Sequence, residues 1–466
     1  MKLVRFFKIL IISLISLSFS SCGNTLIDTK DGYKVIETGP FKLKVNTENN
    51  EAVIIDGDEF NDEVLNLKSN KYLKKYTLIG IGESAFYECD SIKELILSDN
   101  IKFVGRNNFI NCNEIIDIEL NEGIRLFSAH IPYSFDVSQC YIPSSLIYSS
   151  FGYDLFSNIE GNDKEYEFDE KNKYIGINKI SNGITKIILP EKANRIEFND
   201  DARKYILENV ELNTYNNGLY IGSKTNPYML LIGVSDFTIQ DFTTHENTMF
   251  INYNVFERCN NLKKVRLTGN IINPHAYFGT DTVENVILDE GIEIIGDNAF
   301  SNCLNLKEIT IPSTCYYIKD FAFYNCPTLE KVHISNNTHC IGGYTFFNCN
   351  NLIELKLPTI CTGMSNVVFS KCKKIEEIVI PYGVKHIYSS QGIISDNSYT
   401  YFQECSNLKK VFIPDSVVKT DYSSFYLANL AKIYLQHSYV PESFSDNWCN
   451  GNEYILNVDY DLFKIK

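Results

Sequence analysis

Cysteine is the residue type with the most chemical potential in this chain, which has 14 of them among 466 residues. A thiol can form a disulfide, bind a metal ion or act as a nucleophile. Intervals of 23 residues do not make a tetrahedral metal site. We expect most of the cysteines to be free, and those in the repeated register to pack as small apolar side chains, although neighbouring repeats would bring sulfurs close enough to form disulfides. Eight cysteines hold one register, each three residues after a phenylalanine: Cys89, Cys112, Cys259, Cys303, Cys326, Cys349, Cys372 and Cys405.

No known catalytic or metal-binding motif accompanies these thiols. The sequence contains no H-E-x-x-H, C-x-x-C, Walker or G-x-S-x-G pattern. The seven histidines are scattered along the chain, and His333, which lies in a predicted strand, is interpreted as a surface side chain. We therefore expect no catalytic residues, no bound metal and no cofactor.

An acidic run offers one alternative to this expectation. Glu165, Glu167 and Asp169 alternate with Tyr166 and Phe168, which would place the three carboxylates on one face of a strand. Calcium needs several converging oxygen ligands, whereas a solvated strand edge needs only this alternation. We interpret the run as a solvated edge and keep a calcium site as the alternative hypothesis.

The phenylalanines that precede the cysteines indicate which elements position them. Within long stretches they recur every 23 residues, Phe278 divides the interval from Phe256 to Phe300 into two steps of 22, and one longer interval contains a ten-residue insertion. A fixed period of this length is typical of a solenoid, in which one short unit is stacked many times. The phenylalanines of this ladder are Phe86, Phe109, Phe256, Phe300, Phe323, Phe346, Phe369 and Phe402.

The repeat contains two further features, an aliphatic–Gly pair before the phenylalanine and an alternating triplet after the cysteine. Triplets such as 265–267 predict short strands with one buried face, and Pro312 marks a strand end because proline cannot donate to the ladder. Segments such as 297–303 suit one helical turn, which Gly296 makes possible. The pattern predicts a parallel β-sheet on one face and short helical turns opposite, with Trp448 as a cap over the last repeat.

This frame resembles that of the BspA-like leucine-rich-repeat surface proteins of bacteria. The pattern I-G-x-x-A-F-x-x-C-x-x-L-x-x-I-x-I-P carries the likeness and is clearest at residues 295–312. The likeness extends over roughly 80–127 and 250–436 and is weak over 128–249, where residues 218–234 are interpreted as an inserted β-hairpin. The resemblance implies an α/β repeat solenoid of the leucine-rich-repeat type, rich in β structure, and adhesion to proteins or cells.

The N-terminus predicts export. Residues 1–21 place Lys2, Arg5 and Lys8 before an apolar stretch of about a dozen residues, which is too short to span a bilayer and is typical of a secretory signal. The small residues before Cys22 resemble a lipoprotein cleavage box, which implies a lipidated Cys22. We therefore expect an exported protein held by a lipid anchor in the cell envelope or at the cell surface, with secretion as the alternative.

The charge and the repeat pattern bound the partners and the domain organisation. Loss of the signal takes the formal charge from −15 to −18, which disfavours nucleic acid as a partner. The predicted organisation is a signal peptide at 1–21, a lipid-anchor tether at 22–40, an N-terminal repeat block at 41–127, degenerate repeats with the hairpin at 128–249, and a C-terminal repeat block with its cap at 250–466.

The variable centres of the triplets point away from the core and predict a binding face on the sheet. At its C-terminal end Val379, Phe412 and Tyr434 would form an exposed apolar and aromatic strip, beside the insertion at about 386–398. Exposed aromatic residues with a charged rim are typical of recognition surfaces. The predicted ligand-binding face consists of His333, Lys356, Val379, Phe412, Tyr434, Lys410 and Lys432.

Together these features predict a cell-surface protein that mediates protein–protein binding or adhesion through its sheet face. Its partner would be an unidentified protein or surface ligand. A structural or scaffolding lipoprotein of the envelope is one alternative, and a glycan-binding module that uses aromatic rings as stacking platforms is another. The sequence leaves the oligomeric state open.

Overall fold

The structure, a computed structural model, is a parallel β-solenoid of about 15 turns. It confirms the predicted class of a β-rich repeat solenoid of the leucine-rich-repeat type, with very little helix. The structure describes residues 24–29, 32–87, 89–110, 112–130, 143, 145–146, 148–149, 156–161, 163–171, 174–273, 276, 281–364, 367–387, 401–420, 424–425, 428, 432–444, 448–449 and 452–458.

One strand of each turn belongs to what we call the outer row, which corresponds to the predicted alternating triplets. These strands pair in parallel within five separate stretches, so the outer sheet is interrupted rather than continuous. The outer row consists of β5 (Val64–Asn66), β7 (Glu94–Ile96), β9 (Asp117–Glu119), β13 (Glu165–Glu167), β15 (Lys186–Ile188), β20 (Asp241–Thr243), β22 (Lys264–Leu267), β24 (Asn285–Leu288), β26 (Glu308–Thr310), β28 (Lys331–His333), β30 (Glu354–Lys356), β32 (Glu377–Val379), β34 (Lys410–Ile413), β36 (Lys432–Leu435) and β37 (Tyr454–Ile455).

The lateral row is longer and more continuous, and it contains the other strand of the turns together with antiparallel strands at the start of each arm. It forms one eight-stranded and one nine-stranded sheet, with two smaller sheets between and after them. The lateral row consists of β1 (Asn24–Thr29), β2 (Tyr33–Thr38), β3 (Phe41–Asn46), β4 (Glu51–Asp56), β6 (Thr77–Ile81), β8 (Phe103–Val104), β10 (Leu126–Phe127), β11 (Tyr148–Ser149), β12 (Phe156–Ile159), β14 (Tyr174–Ile180), β16 (Arg195–Phe198), β17 (Asn213–Tyr215), β18 (Gly218–Ile221), β19 (Leu230–Val234), β21 (Phe250–Ile251), β23 (Ile271–Ile272), β25 (Ile294–Ile295), β27 (Tyr317–Ile318), β29 (Cys340–Ile341), β31 (Gly363–Met364), β33 (His386–Ile387) and β35 (Lys419–Thr420).

The chain folds back on itself, so the solenoid has two arms. We call residues 32–198 the first arm and residues 213–458 the second arm. The lateral rows of the two arms pack face to face, and successive turns of the two arms run in opposite directions. Asp56 in β4 contacts Lys385 near the end of the second arm, whereas Arg125 just before β10 contacts Glu293 much earlier in that arm. We call this contact the seam.

A single α-helix in the described part of the chain, α1 (Asp200–Asn209), lies between the two arms. The Asn199 side chain caps its first turn by accepting a hydrogen bond from the Ala202 amide at 2.9 Å. Further along α1, Arg203 donates to the Ile232 carbonyl at 2.9 Å. The helix is therefore fastened to the second arm at the point where the chain turns back.

The predicted hairpin is present next to this helix. Strands β18 and β19 pair antiparallel, as expected for residues 218–234. The hairpin is not an appendage, because β19 also pairs in parallel with β21 and so starts the lateral sheet of the second arm.

The repeated phenylalanines form the predicted ladder in the core. Rings of successive turns stack, with centroids 5.4 Å apart for Phe300 and Phe323 and 5.7 Å apart for Phe323 and Phe346. The surrounding segments are tight turns rather than a helix. Non-glycine residues with positive φ flank the rings, including Asn302 at 61° and Asn325 at 57°, and a continuous α-helix does not allow such residues.

The glycine of the aliphatic–Gly pair serves packing between turns. A Cβ on Gly342 would lie 2.4 Å from the carbonyl carbon of Lys319 and 2.5 Å from the amide nitrogen of Asp320, in the preceding turn. The φ of Gly342 is not positive, so a sharp turn does not require this glycine. The glycine is required instead by the backbone of the neighbouring turn, which leaves no room for a side chain.

Part of the predicted tether is structured. Within residues 22–40, β1 and β2 form an antiparallel pair that extends the lateral sheet of the first arm. Val35 and Ile36 are buried there. This part of the predicted tether therefore contributes buried apolar side chains to the first arm.

Candidate binding surfaces and the buried seam

The outer row presents the predicted column of variable residues in register. In one stretch Thr310, His333 and Lys356 are aligned on neighbouring strands, and all three are exposed. The column does not continue directly to Val379, because β30 and β32 belong to different sheets. The sequence therefore placed these side chains on the correct face but did not predict the interruption.

The C-terminal part of this column is less exposed than the alternation predicts. Val379, Phe412 and Tyr434 are in register, but the prediction that Phe412 is exposed is wrong, since its side chain is fully buried. Val379 and Tyr434 are half-buried. Alternation assigns a side chain to one face of its own strand, and it contains no information about which other part of the chain covers that face.

Most charged residues beside the column pair with a residue one turn away. Lys331 lies 3.2 Å from Glu354, and the His333 ring lies 3.1 Å from Glu308. At the end of the row Lys410 pairs with Glu377 and Lys432 pairs more loosely with Glu453, at 3.9 Å. The charged pairs therefore connect neighbouring turns along the stacking direction. Each exposed pair contributes about 0–1 kcal/mol to stability. Lys356 forms no ion pair with any described residue.

The acidic run of the first arm is also paired. Glu165 lies 2.7 Å from Lys186, and Glu167 lies 2.5 Å from Lys224. These residues are exposed on β13, in agreement with the interpretation as a solvated edge. Among the described residues no three His, Cys, Asp or Glu side chains lie together in a way that would hold a metal ion.

The repeated cysteines are hydrogen-bond donors inside the core. The thiol of Cys349 donates to the carbonyl of Phe323 at 3.2 Å, and Cys372 donates to the carbonyl of Phe346 at 3.1 Å. Each of these two thiols therefore satisfies the carbonyl of the ladder phenylalanine one turn back. Burial raises the pKa of Cys405 to about 12, which keeps the thiol protonated and chemically quiet. No disulfide joins any of the described cysteines.

The seam is apolar at its centre. Phe103 and Leu126 from the first arm form one buried cluster with Tyr317, Ile360 and Tyr382 from the second. All five side chains are at most 4% exposed. Two packed sheets bury side chains on their facing surfaces, and the lateral strands that form the seam consequently have both of their faces buried.

Charged residues from the two arms pair across the seam. Arg106 lies 2.7 Å from Asp320. The ammonium of Lys385, only 3% exposed, donates to Asp58 at 2.6 Å and to Asp56 at 3.2 Å. Lys44, which is 2% exposed, donates to the Tyr382 carbonyl at 2.7 Å. The bonds of Lys385 and Lys44 hold buried charges that would be costly to leave without partners.

Three titratable groups inside the seam have strongly shifted pKa values. Burial raises the pKa of Glu83 to about 7, although Arg106 opposes the change. Burial lowers the pKa of His339 and of His386 to about 3. His339 stacks on Phe103 of the first arm, with ring centroids 4.0 Å apart. The seam therefore favours a neutral carboxyl and neutral imidazoles.

Sequence reasoning missed the seam, although one signal for it is present. Strands such as β25 and β27 contain two consecutive apolar residues, and both are buried. A strand with one solvated face would alternate apolar and polar residues, whereas a strand covered on both faces is apolar throughout. The lateral strands therefore carried a sign of a second buried face.

Several predictions lie outside the described residues. Cys22 and the signal peptide fall before residue 24, and most of the insertion predicted at 386–398 falls after residue 387. Within the described part of the chain, no helix has the length and apolar character needed to cross a bilayer.

Comparison with known proteins identifies the repeat. The BspA-type leucine-rich-repeat region, in six copies, matches residues 79–200, 234–273, 270–395 and 391–447, which is more than two thirds of the chain. No curated protein shows significant sequence similarity to this chain.

Solved structures of bacterial proteins are similar along most of the chain. A leucine-rich repeat protein from Bacteroides ovatus ATCC 8483 is 18% identical, with 94% of this chain and 99% of that chain covered and a TM-score of 0.33. A leucine-rich cell surface protein from Faecalibacterium prausnitzii A2-165 is 17% identical, with 91% and 98% covered and a TM-score of 0.31. A leucine-rich repeat protein from Eubacterium ventriosum ATCC 27560 is 16% identical, with 92% and 100% covered and a TM-score of 0.34.

Proposed function

Since the chain belongs to the family of BspA-type leucine-rich-repeat proteins, we propose that it is a non-catalytic binding protein that holds a protein partner at the cell surface. The observation that supports this most is the exposed column of Thr310, His333 and Lys356, aligned on one uninterrupted stretch of the outer row. A rigid sheet loses little conformational entropy when it binds, and this favours recognition without rearrangement.

The charges around this column suit a polar partner surface. The ammonium of Lys356 has no ionic partner among the described residues, while its neighbour His333 is held by Glu308. A free cation within a row of paired charges is available to a carboxylate of a partner protein, and such contacts orient the complex and increase its association rate. The buried ring of Phe412 has no part in the proposed face.

The experiment measures how the chain without its predicted signal peptide (residues 1–21), called the exported chain below, binds to immobilised matrix proteins and to whole cells. The double variant His333→Ala/Lys356→Ala should weaken binding about tenfold or more, which corresponds to about 1.4 kcal/mol. Its melting temperature should stay unchanged because both side chains are exposed. The control is Asp117→Ala/Glu119→Ala, two exposed positions on β9 of the first arm. Equal binding by both variants and the unchanged protein would exclude the column as the site.

Export and lipidation complete this proposal. The N-terminal segment of residues 1–21 and the small residues before Cys22 support a lipid anchor that holds the solenoid at the membrane surface. Incorporation of a labelled fatty acid should occur in the unchanged protein and be lost in Cys22→Ser. A Cys22→Ser protein that still carries the label, or an unlabelled protein released from the cells, would rule out this anchor.

Self-association is a second candidate function, supported by the last strand of the outer row. Tyr454 and Ile455 on β37 are 45% and 41% exposed, and among the described residues β37 pairs only with β36. An exposed strand edge with large apolar side chains is a template for pairing with another chain. A mass that rises with protein concentration, and returns to the monomer value in Ile455→Lys, would favour a scaffold over an adhesin.

A further inference from the structure

A cleft opens to solvent at the end of the seam, where the first turns of the first arm meet the last turns of the second. It has a volume of about 430 Å³, within the range of roughly 300–1,000 Å³ that is typical of ligand sites. Ligand sites occur preferentially where two structural units meet. The lining residues that matter below are Lys42 and Asp56 from the first arm and Tyr382, Asp415, Gln436 and Tyr439 from the second.

The two cations of the cleft are already neutralised. Lys42 lies 3.4 Å from Asp56, and Lys385 at the cleft floor is held by Asp56 and Asp58. A third carboxylate, that of Asp415, also lines the cleft. Because every cation has a carboxylate partner, the cleft does not attract a phosphate, a sulfate or an acidic peptide.

The remaining polar groups suit a ligand with many hydroxyls. Gln436 accepts a hydrogen bond from the Asp415 amide at 3.3 Å through its side-chain oxygen, which leaves its two amide N–H groups as donors. The Asp415 carboxylate can accept hydrogen bonds at both of its oxygens. The cleft thus presents a donor and an acceptor on neighbouring turns.

An aromatic ring completes this set of groups. Tyr439 at the rim of the cleft is 67% exposed and forms no ring contact with the described residues. An exposed amphipathic ring at the rim can lie against the C–H face of a sugar while its hydroxyl stays in water.

We propose that this cleft binds a neutral saccharide, with Tyr439 stacked on the sugar ring and Asp415 and Gln436 bonded to its hydroxyls. The site is separate from the outer row, so it does not depend on the proposed function. A ligand that contacts both Lys42 and Tyr439 also connects the two arms. Its binding should therefore stabilise the folded-back arrangement, because any ligand that binds only the native state shifts unfolding.

The test is calorimetric titration of the exported chain with glucose, galactose, mannose and N-acetylglucosamine and with their short oligomers. Sialic acid and glucuronic acid serve as charged comparisons. We expect saturable binding of at least one neutral sugar, a melting temperature that rises with its concentration, and no comparable binding of the charged sugars.

Two variants locate the site. Tyr439→Ala should weaken the affinity roughly tenfold and leave the melting temperature without sugar unchanged, because its ring is mostly exposed. Asp415→Asn should weaken it by a similar factor. The matched control is Tyr215→Ala, another exposed tyrosine of the second arm, which should keep the affinity of the unchanged protein.

Three results would overturn the proposal. They are the absence of saturable binding to every neutral sugar, a preference for the charged sugars, and an affinity that Tyr439→Ala and Asp415→Asn leave unchanged. His333→Ala/Lys356→Ala should retain the affinity for sugar, and this separates failure of the cleft from failure of the outer row.

Discussion

The carboxyl of Glu83 is the most informative group to perturb, because it lies in the seam with only part of its hydrogen-bonding capacity used. It is 8% exposed. One of its oxygens accepts a hydrogen bond from Asn107 at 3.2 Å, and the other has no hydrogen-bond partner among the described residues. The charges of Arg106 and Asp320 act on its pKa in opposite directions. We predict that Glu83→Gln changes how stability depends on pH.

The sign and size of the change in stability with pH follow from the pKa of Glu83. This pKa is about 7 in the folded protein, and its ordinary value is 4.5. Between these pH values the folded state holds a proton that the unfolded state has lost, so the free energy of unfolding falls as pH rises. The decrease is about 1.4 kcal/mol per pH unit, or roughly 3 kcal/mol in total. The contribution is fully present below pH 4.5 and is lost by about pH 7.

The assay is urea unfolding of both proteins at several pH values from about 4.5 to 8. The difference in unfolding free energy between Glu83→Gln and the unchanged protein should be near zero at the acid end. It should then grow by roughly 3 kcal/mol in favour of the glutamine variant. Glu284→Gln, at an exposed position just before β24, is the control. Parallel pH profiles for Glu83→Gln and the unchanged protein would refute the assignment of a buried, protonated Glu83.

Three further predictions concern the seam and the thiols. His339→Gln should reduce the loss of stability in acid. The pKa of His339 is about 3 in the folded protein and 6.5 ordinarily, so the unchanged protein should lose about 2 kcal/mol of stability at pH 5. An equal loss of stability in acid for the variant would contradict this. Lys385→Met should destabilise the protein by about 3–5 kcal/mol in thermal or urea unfolding, because Asp56 and Asp58 lose a buried partner. Adding Asp56→Asn should recover part of that loss, and a fully stable single variant would show that the seam is not closed in solution. Finally, the 12 described cysteines should all react with a thiol reagent in denaturant and almost none without it; a majority already oxidised would contradict the free-thiol prediction.

The local repeat was predictable from the sequence because it is recorded in periodic residues. The spacing of Phe300 and Phe323 gives the stacking direction, and Cys326 follows in the same register. The reason for cysteine at this position was not evident, since donation from its thiol to the Phe300 carbonyl at 3.1 Å requires knowledge of the backbone. Small apolar packing alone would have allowed alanine, as Ala428 shows at the equivalent position of a later repeat.

The fold of the whole chain was not predictable in the same way. Lys44 and Tyr382 are 338 residues apart, and no period connects them. The contact depends on where the chain reverses, near α1, and the repeat pattern is weakest in that part of the sequence. The burial of Phe412 was also not predictable, because alternation describes a strand and its neighbours but not what lies over them.

The folded-back arrangement restricts which surfaces can bind a partner. In many solenoids a free lateral face is available for contacts, but here the lateral rows of the two arms cover each other, with Phe103 and Tyr317 at most 2% exposed. A large partner is left with the outer row, and a small ligand with the cleft where the seam ends. Lys385 belongs to both the seam and the cleft. Occupation of the cleft should therefore protect seam amides against hydrogen exchange as far away as Glu83, whereas a partner on the outer row should not. Protection confined to the cleft would show that the two arms open independently of what the cleft holds.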